Sequence, residues 1–207
     1  MAYSLGLRGI INDYIGSVLV AVMRELIIGG ARSGKSRLAE SRATGHEANG
    51  MSVVYIATAE GLDPEMVTRL EHHRASRPAH WQTIEEPVQL ARVLAEQATP
   101  QRCLLVDCLT LWLSALLFKG EGGSQLEAGQ PLTCDLFWKE RQALLDVLPR
   151  LPGEVVLVSN EIGSGVVPEN RLARRFADEQ GRLNQDVAAL CERVTLSVAG
   201  LPLSLRG

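Results

Sequence analysis

The sequence predicts an α/β fold in which a mostly parallel sheet is flanked by helices. Short continuous apolar runs alternate with longer amphipathic stretches, and this alternation is typical of strand-helix-strand units. Continuous apolar runs are expected of strands that are covered on both faces. Five runs are predicted as buried strands: Glu25–Ile28, Ser52–Ala57, Cys103–Asp107, Val155–Ser159 and Arg193–Val198.

Helices are predicted between these strands wherever apolar residues recur at i, i+3 and i+4. The segments are Ser36–Ala43, Pro64–Arg74, Pro87–Ala98, Thr110–Phe118, Asp135–Leu148 and Arg171–Cys191. The stretch Lys119–Pro131 breaks the pattern with Gly, Gln and Glu. We therefore expect a flexible surface insertion there.

The composition indicates an ordinary soluble globular protein. The 207 residues are 46% apolar and 22% charged, which excludes a disordered or fibrous protein. The net charge of −3 lacks the basic surplus that nucleic-acid binding usually requires. The apolar run Ile15–Met23 is too short for a membrane span. We expect residues 1–22 to be a non-catalytic leader and residues 23–207 to form a single domain.

The four cysteines predict reduced thiols. Their spacing fits neither a zinc pair nor a dense disulfide framework. They are Cys103, Cys108, Cys134 and Cys191. We therefore expect the protein to be cytoplasmic.

The segment GGARSGKS satisfies G-x-x-x-x-G-K-[ST], with a predicted strand before it and an amphipathic segment after it. In this motif, backbone N–H groups converge on phosphate oxygens at the positive end of the following helix. Lys35 is expected to reach the β- and γ-phosphates, and Ser36 to ligate Mg²⁺. The predicted nucleotide-binding residues are Gly29, Gly30, Ala31, Arg32, Ser33, Gly34, Lys35 and Ser36. The fold is therefore expected to be of the P-loop NTPase type.

An acidic residue ends the predicted strand Cys103–Asp107. P-loop enzymes place such a residue at the end of a neighbouring strand, where it holds the metal or its water. Asp107 is therefore a second candidate Mg²⁺ contact beside Ser36. The alternative is that Asp107 caps the helix predicted from Thr110, and the two roles are compatible.

The predicted helix Pro64–Arg74 carries two adjacent histidines that point in different directions. His73 falls on the apolar face and His72 on the polar face. Arg69 and Arg74 favour a neutral imidazole and attract phosphate, as a phosphoryl or nucleotidyl acceptor requires. A solvated surface role for His72 and a packing role for His73 are the alternatives.

These motifs together resemble one family. GGARSGKS, HH-x-x-x-RP-x-HW and SNE-x-G-x-G-x-VPENRLAR are similar to the bifunctional adenosylcobinamide kinase/adenosylcobinamide-phosphate guanylyltransferase family of cobalamin biosynthesis, over about residues 24–205. The resemblance implies phosphorylation of adenosylcobinamide with ATP or GTP. It also implies transfer of GMP from GTP to the product, giving adenosylcobinamide-GDP and pyrophosphate. The second step is implied to pass through a GMP-histidine intermediate on His72.

The resemblance implies further nucleotide contacts and an assembly. The contact positions are Ala57, Thr58, Ala59, His73, Arg74, Ala75, Ser76, Glu85 and Asp107. A homotrimer is implied, with its active sites near the subunit boundaries. The motif Asn160–Gln185 is implied to close the site or to form the subunit contact. Its arginines are as well explained by a solvated or interface helix face as by phosphate contact: Arg171, Arg174 and Arg175.

Two alternatives to the bifunctional enzyme remain at the level of sequence. A kinase without guanylyl transfer would phosphorylate adenosylcobinamide but would release no pyrophosphate from GTP. A GTP-binding switch would bind GTP without turnover of either corrinoid, because a fold alone does not fix a function.

Overall fold

The computed structural model describes residues 22–60 and 77–207 of the chain. Seven strands form one sheet, and β1 to β7 are Arg24–Gly29, Ser52–Ala57, Gln82–Glu85, Arg102–Asp107, Glu154–Asn160, Arg193–Val198 and Leu201–Arg206. Their order in the sheet is β3-β2-β4-β5-β1-β6-β7. Every neighbouring pair is parallel except β6 and β7. The predicted, mostly parallel α/β sheet is confirmed.

Six helices accompany the strands in the described ranges. In chain order, α1 to α6 are Lys35–Ala48, Leu90–Gln97, Leu109–Lys119, Gly122–Glu127, Asp135–Val147 and Arg171–Ala189, with a short 3-10 turn at Leu148–Arg150. The predicted helix Pro64–Arg74 lies outside the described residues.

Helices cover both faces of the sheet. On one face, Ile27 and Val158 of the strands form a buried cluster with Ala39 and Ala43 of α1. On the other face, a larger cluster joins the strands to α2 through α6. Because both faces are covered, the central strands are apolar along their length, as the sequence predicted.

Two strands were not predicted from the sequence. β3 has the polar sequence QTIE and forms because its backbone pairs in parallel with β2 at the edge of the sheet. β7 follows β6 through the two-residue turn Ala199–Gly200, where both φ angles are positive, at 52° and 79°. Such turns match the right-handed twist of an antiparallel hairpin.

Two predictions were wrong in detail. The helix predicted over Ser36–Ala43 continues through Gly45 to Ala48. The expected surface insertion Lys119–Pro131 contains α4, whose Leu126 is buried in the larger core cluster. Within the described ranges, no helix is both long and apolar enough to cross a membrane.

Candidate functional site

The loop between β1 and α1 is fixed by glycines. Gly34 has a φ of +92°, which L-residues rarely adopt. A Cβ on Gly29 would lie 2.5 Å from Ser33 Oγ and 2.6 Å from the carbonyl oxygen of Ser197. Glycine is therefore required at both ends of the loop, for conformation at one and for close packing at the other.

The turn between β6 and β7 braces this loop from outside. The carbonyl oxygen of Ser33 accepts hydrogen bonds from the Gly200 backbone N–H and from Ser197 Oγ, both at 2.8 Å. A Cβ on Gly34 would lie 3.0 Å from Gly200 Cα. With its carbonyl held by the hairpin, the loop has a fixed backbone before any ligand arrives, which lowers the cost of binding.

Lys35, the first residue of α1, turns back into the loop. Its Nζ donates a hydrogen bond to the carbonyl of Gly30 at 3.0 Å. Burial lowers the pKa of Lys35, while the nearby Cys108 and Asp107 oppose that shift. A bound polyphosphate would supply the negative charge that this half-buried ammonium group lacks.

Asp107 ends β4 on the same side of the sheet as the loop. The strand β5 lies between β4 and β1, so the expectation that this acid sits on a strand adjacent to the loop strand was wrong. Its Oδ2 accepts a hydrogen bond from the Tyr55 hydroxyl at 2.8 Å. Capping of α3 by Asp107 is not found, since Cys108 occupies that position and no side chain caps the helix.

Tyr55 joins the acid to the segment that follows residue 76. Its ring carries the Arg77 guanidinium 3.4 Å from the ring centroid, a cation–π contact. Burial raises the pKa of Tyr55, and the Asp107 charge adds to that shift. The phenol therefore stays protonated and donates to Asp107. The sequence analysis did not predict a role for Tyr55 or Arg77. The signal for Tyr55 was its hydroxyl in the otherwise apolar run VVYIA.

The predicted contacts after β2 are partly engaged elsewhere. The Thr58 hydroxyl donates to the Cys108 carbonyl at 2.7 Å and accepts from the Cys108 N–H at 2.9 Å. This exchange ties the end of β2 to the end of β4. Ala57 is buried, Ala59 is half-buried, and the exposed Glu85 is in register with Ala57.

The predicted metal contacts suit Mg²⁺ by donor chemistry. Ser36 lies half-buried in the first turn of α1 and Asp107 is also half-buried. Among residues 22–60 and 77–207, no group of three or more His, Cys, Asp or Glu side chains is placed to hold a metal. A hydroxyl and one carboxylate nevertheless fit Mg²⁺, because this ion usually completes its shell with phosphate oxygens and water.

The histidine segment itself is outside the described residues. This applies to the predicted nucleophile and its neighbours: His72, His73, Arg74, Ala75 and Ser76. The chain after it is attached to α1, since His80 Nε2 lies 2.7 Å from Glu47 Oε1 and Trp81 Nε1 donates to the same oxygen at 3.2 Å. The hydrogen bond from His80 lowers the pKa of Glu47.

Two arginines of α6 bind backbone carbonyls. Arg171 donates to the carbonyl of Gly129 at 3.2 Å, and Arg174 donates to that of Pro168 at 2.9 Å. Asn170 caps the helix by accepting from the Ala173 N–H. For Arg171 and Arg174 these contacts favour the structural alternative over phosphate binding.

Comparisons with known proteins show which family this sequence resembles. The sequence model of the cobinamide kinase/cobinamide phosphate guanyltransferase family matches residues 25–205. The bifunctional adenosylcobalamin biosynthesis protein CobP of Pseudomonas aeruginosa is 54% identical over 89% of this chain and 98% of its own length. The protein of the same description named CobU is 40% identical in Escherichia coli and 41% identical in Salmonella typhimurium, over 89% of this chain and all of each relative.

A solved structure supports the fold. It comes from a structural and biochemical analysis of a prototypical ATPase of the type III secretion system of pathogenic bacteria. The TM-score is 0.51 at 15% identity, and the match covers 88% of this chain and 56% of that one. At this identity the likeness concerns the fold alone, a mostly parallel sheet flanked by helices.

Proposed function

The chain belongs to the cobinamide kinase/cobinamide phosphate guanyltransferase family, and on that premise we propose that it performs both reactions on adenosylcobinamide. The first is phosphorylation with ATP or GTP. The second is transfer of GMP from GTP to adenosylcobinamide phosphate, giving adenosylcobinamide-GDP and pyrophosphate. The observation that carries the proposal is the braced phosphate loop facing Asp107, in a chain that this family model matches from residue 25 to 205.

In the kinase step, a corrinoid hydroxyl oxygen attacks the γ-phosphorus and the bond from phosphorus to the β–γ bridging oxygen breaks. The nucleoside diphosphate leaves, and the hydroxyl proton passes to water. The chain's part is binding and orientation, which dominate catalysis of phosphoryl transfer. The loop amides of Gly30 through Ser36 hold the phosphates at the start of α1. Lys35 exchanges its contact with the Gly30 carbonyl for the β- and γ-phosphate oxygens.

Mg²⁺ is part of the proposal, with Ser36 and Asp107 as the residues that would hold it directly or through water. When bound, it neutralises charge on the phosphate oxygens. Tyr55 keeps one Asp107 oxygen engaged through its donated hydrogen bond at 2.8 Å and so orients the carboxylate.

In the guanylyl step, the proposed nucleophile is His72. A neutral imidazole nitrogen attacks the α-phosphorus and pyrophosphate leaves. A phosphate oxygen of the corrinoid then attacks the same phosphorus, and the phosphorus–nitrogen bond breaks. The remaining proposed nucleotide contacts are Ala57, Thr58, Ala59, His73, Arg74, Ala75, Ser76 and Glu85.

We also propose a cytoplasmic homotrimer. Leu201, Leu203 and Leu205 alternate along the edge strand β7 and are each more than half exposed, and Val198 lies opposite Leu201. Apolar side chains exposed on a strand that is the last of the sheet in the described ranges are a liability that a subunit contact removes. Sedimentation equilibrium is expected to give three times the chain mass of 22.5 kDa. A monomer at micromolar concentration would contradict the trimer.

The proposed activities are tested by incubation with adenosylcobinamide, GTP and Mg²⁺. The expected products are adenosylcobinamide phosphate and then adenosylcobinamide-GDP, with one pyrophosphate released for each GMP transferred. Phosphorylation without pyrophosphate would indicate a kinase alone. GTP binding without turnover of either corrinoid would indicate a switch.

A further inference from the structure

Asn160 is a polar residue that ends the central strand of the sheet. It is in register with Gly29, the first residue of the phosphate-loop motif, on the neighbouring strand β1. On the other side of β5, Val158 is in register with Asp107 of β4. Asn160 therefore lies at the carboxyl ends of the strands, between β1, which carries the loop, and β4, which carries Asp107.

The side chain of Asn160 belongs to the face of the sheet that α1 covers. Val156 and Val158 both pack in the buried cluster that contains Ala39 and Ala43 of α1. Because side chains alternate along a strand, Asn160 points to the same face. Asp107 shares that face, since its partner in register is Val158.

The backbone of Asn160 is held on both sides by other elements. Its N–H donates to Thr110 Oγ1 of α3 at 2.8 Å, and its carbonyl accepts from Asn184 Nδ2 of α6 at 3.0 Å. Asn184 Oδ1 in turn accepts from Ser159 Oγ at 2.6 Å and from Gln180 Nε2 at 3.0 Å. These groups are buried, so the network fixes this strand end firmly.

The carboxamide of Asn160 is left for another partner. It is half-buried, and within residues 22–60 and 77–207 it makes no hydrogen bond, whereas its backbone makes two. The buried side chains of Thr110 and Asn184 hold the backbone on either side of this carboxamide. A neutral amide is suited to donate to a phosphate oxygen while adding no charge of its own.

We propose that the Asn160 carboxamide donates a hydrogen bond to the terminal phosphate of the bound nucleoside triphosphate, and so distinguishes triphosphate from diphosphate. This inference rests on the proposed use of nucleotides at the same site. The loop at the end of β1 holds the phosphate chain, and Asp107 lies two strands away. The carboxyl end of β5 lies between the loop and Asp107. The terminal phosphate of the nucleotide lies at this strand end, and Asn160 is the residue there.

The test is calorimetric binding of GTP and GDP to wild type, Asn160→Ala and Asn160→Asp. Loss of one hydrogen bond to a charged group predicts about tenfold weaker GTP binding in Asn160→Ala, with GDP binding changed less than about twofold. Asn160→Asp is expected to lose more GTP affinity, because a carboxylate repels the phosphate. Asn49→Ala is the matched control, since Asn49 is an exposed asparagine at the end of α1.

Positioning of the carboxamide is tested separately by Thr110→Val. Thr110→Val is expected to lower the affinity for GTP and not for GDP, but by less than Asn160→Ala does. It removes the hydrogen bond to the Asn160 backbone and keeps the Asn160 carboxamide. If Asn160→Ala lowers the affinities for GTP and GDP equally, or changes neither, the inference is overturned and the proposed function is unaffected. Failure of the wild-type protein to bind either nucleotide would overturn both.

Discussion

Alanine at Gly34 tests whether the brace between the phosphate loop and the β6–β7 turn matters for nucleotide binding. The chain offers a matched control in Gly50, which follows α1. Gly34 and Gly50 have nearly the same φ, +92° and +89°. A Cβ on Gly50 meets nothing within 4 Å, whereas a Cβ on Gly34 lies 3.0 Å from Gly200 Cα.

The magnitudes follow from that difference. An L-residue in the left-handed region costs about 1–2 kcal/mol at either position. At Gly34, the contact with Gly200 is closer than the roughly 3.5–4.0 Å optimum between carbon atoms, and such overpacking adds about 1–3 kcal/mol. In a domain of this size each kcal/mol lowers Tm by about 2–4 °C. We expect a loss of about 2–8 °C for Gly50→Ala and about 4–20 °C for Gly34→Ala.

Binding separates the two variants more sharply than stability does. Relief of the clash must move either the loop or the β6–β7 turn, and so changes the positions of the amides that hold phosphate. The Kd for GTP, measured by calorimetry well below both Tm values, is expected to rise at least about tenfold in Gly34→Ala and to stay within twofold in Gly50→Ala. Equal GTP affinity in the two variants would refute the role given to the brace.

Two further predictions concern buried groups. Thr58→Val leaves the Cys108 N–H unpaired and is expected to lower the free energy of unfolding, measured in urea, by about 1–3 kcal/mol. The control is Thr44→Val at an exposed position, which is expected to lower it by less than about 0.5 kcal/mol. Equal losses would contradict the role of the Thr58–Cys108 hydrogen bonds in joining β2 to β4. Burial raises the pKa of the Cys103, Cys108 and Cys191 thiols from 9.0 to about 12. At pH 8 these thiols are therefore expected to react with a thiol reagent about 10³-fold more slowly in the native protein than in urea. Because the folded pKa is the higher one, their contribution to stability is full below pH 9 and is lost as the pH rises through 12; fast reaction in the native state would refute the burial.

The sequence predicted the elements whose residues carry a local signal. The five apolar strands and the phosphate loop were predicted because continuous burial and the glycine spacing are both visible in a short window. β3 has no such pattern, since it is polar except for Ile84, which packs against the core, and it forms a strand by backbone pairing with β2. The helix α4 was hidden by its two glycines, Gly122 and Gly123, which are both buried.

The parts of the site that the sequence did not predict depend on contacts between distant segments. The brace joins Ser33 to Ser197, 164 positions away along the chain. The hold on Asn160 comes from α3 and α6, which are 50 and 24 positions away. The order of the strands is equally non-local, and it placed β5 between the loop strand and the acid strand. Residue spacing contains none of this information.

Covalent labelling tests the central claim most directly. After incubation with GTP and Mg²⁺, the protein is expected to retain acid-labile label from α-labelled GTP and none from γ-labelled GTP. His72→Ala should abolish the label, whereas His46→Ala, in the last turn of α1, should keep it. Label that persists in His72→Ala, or label retained from the γ-phosphate alone, would contradict guanylyl transfer through His72.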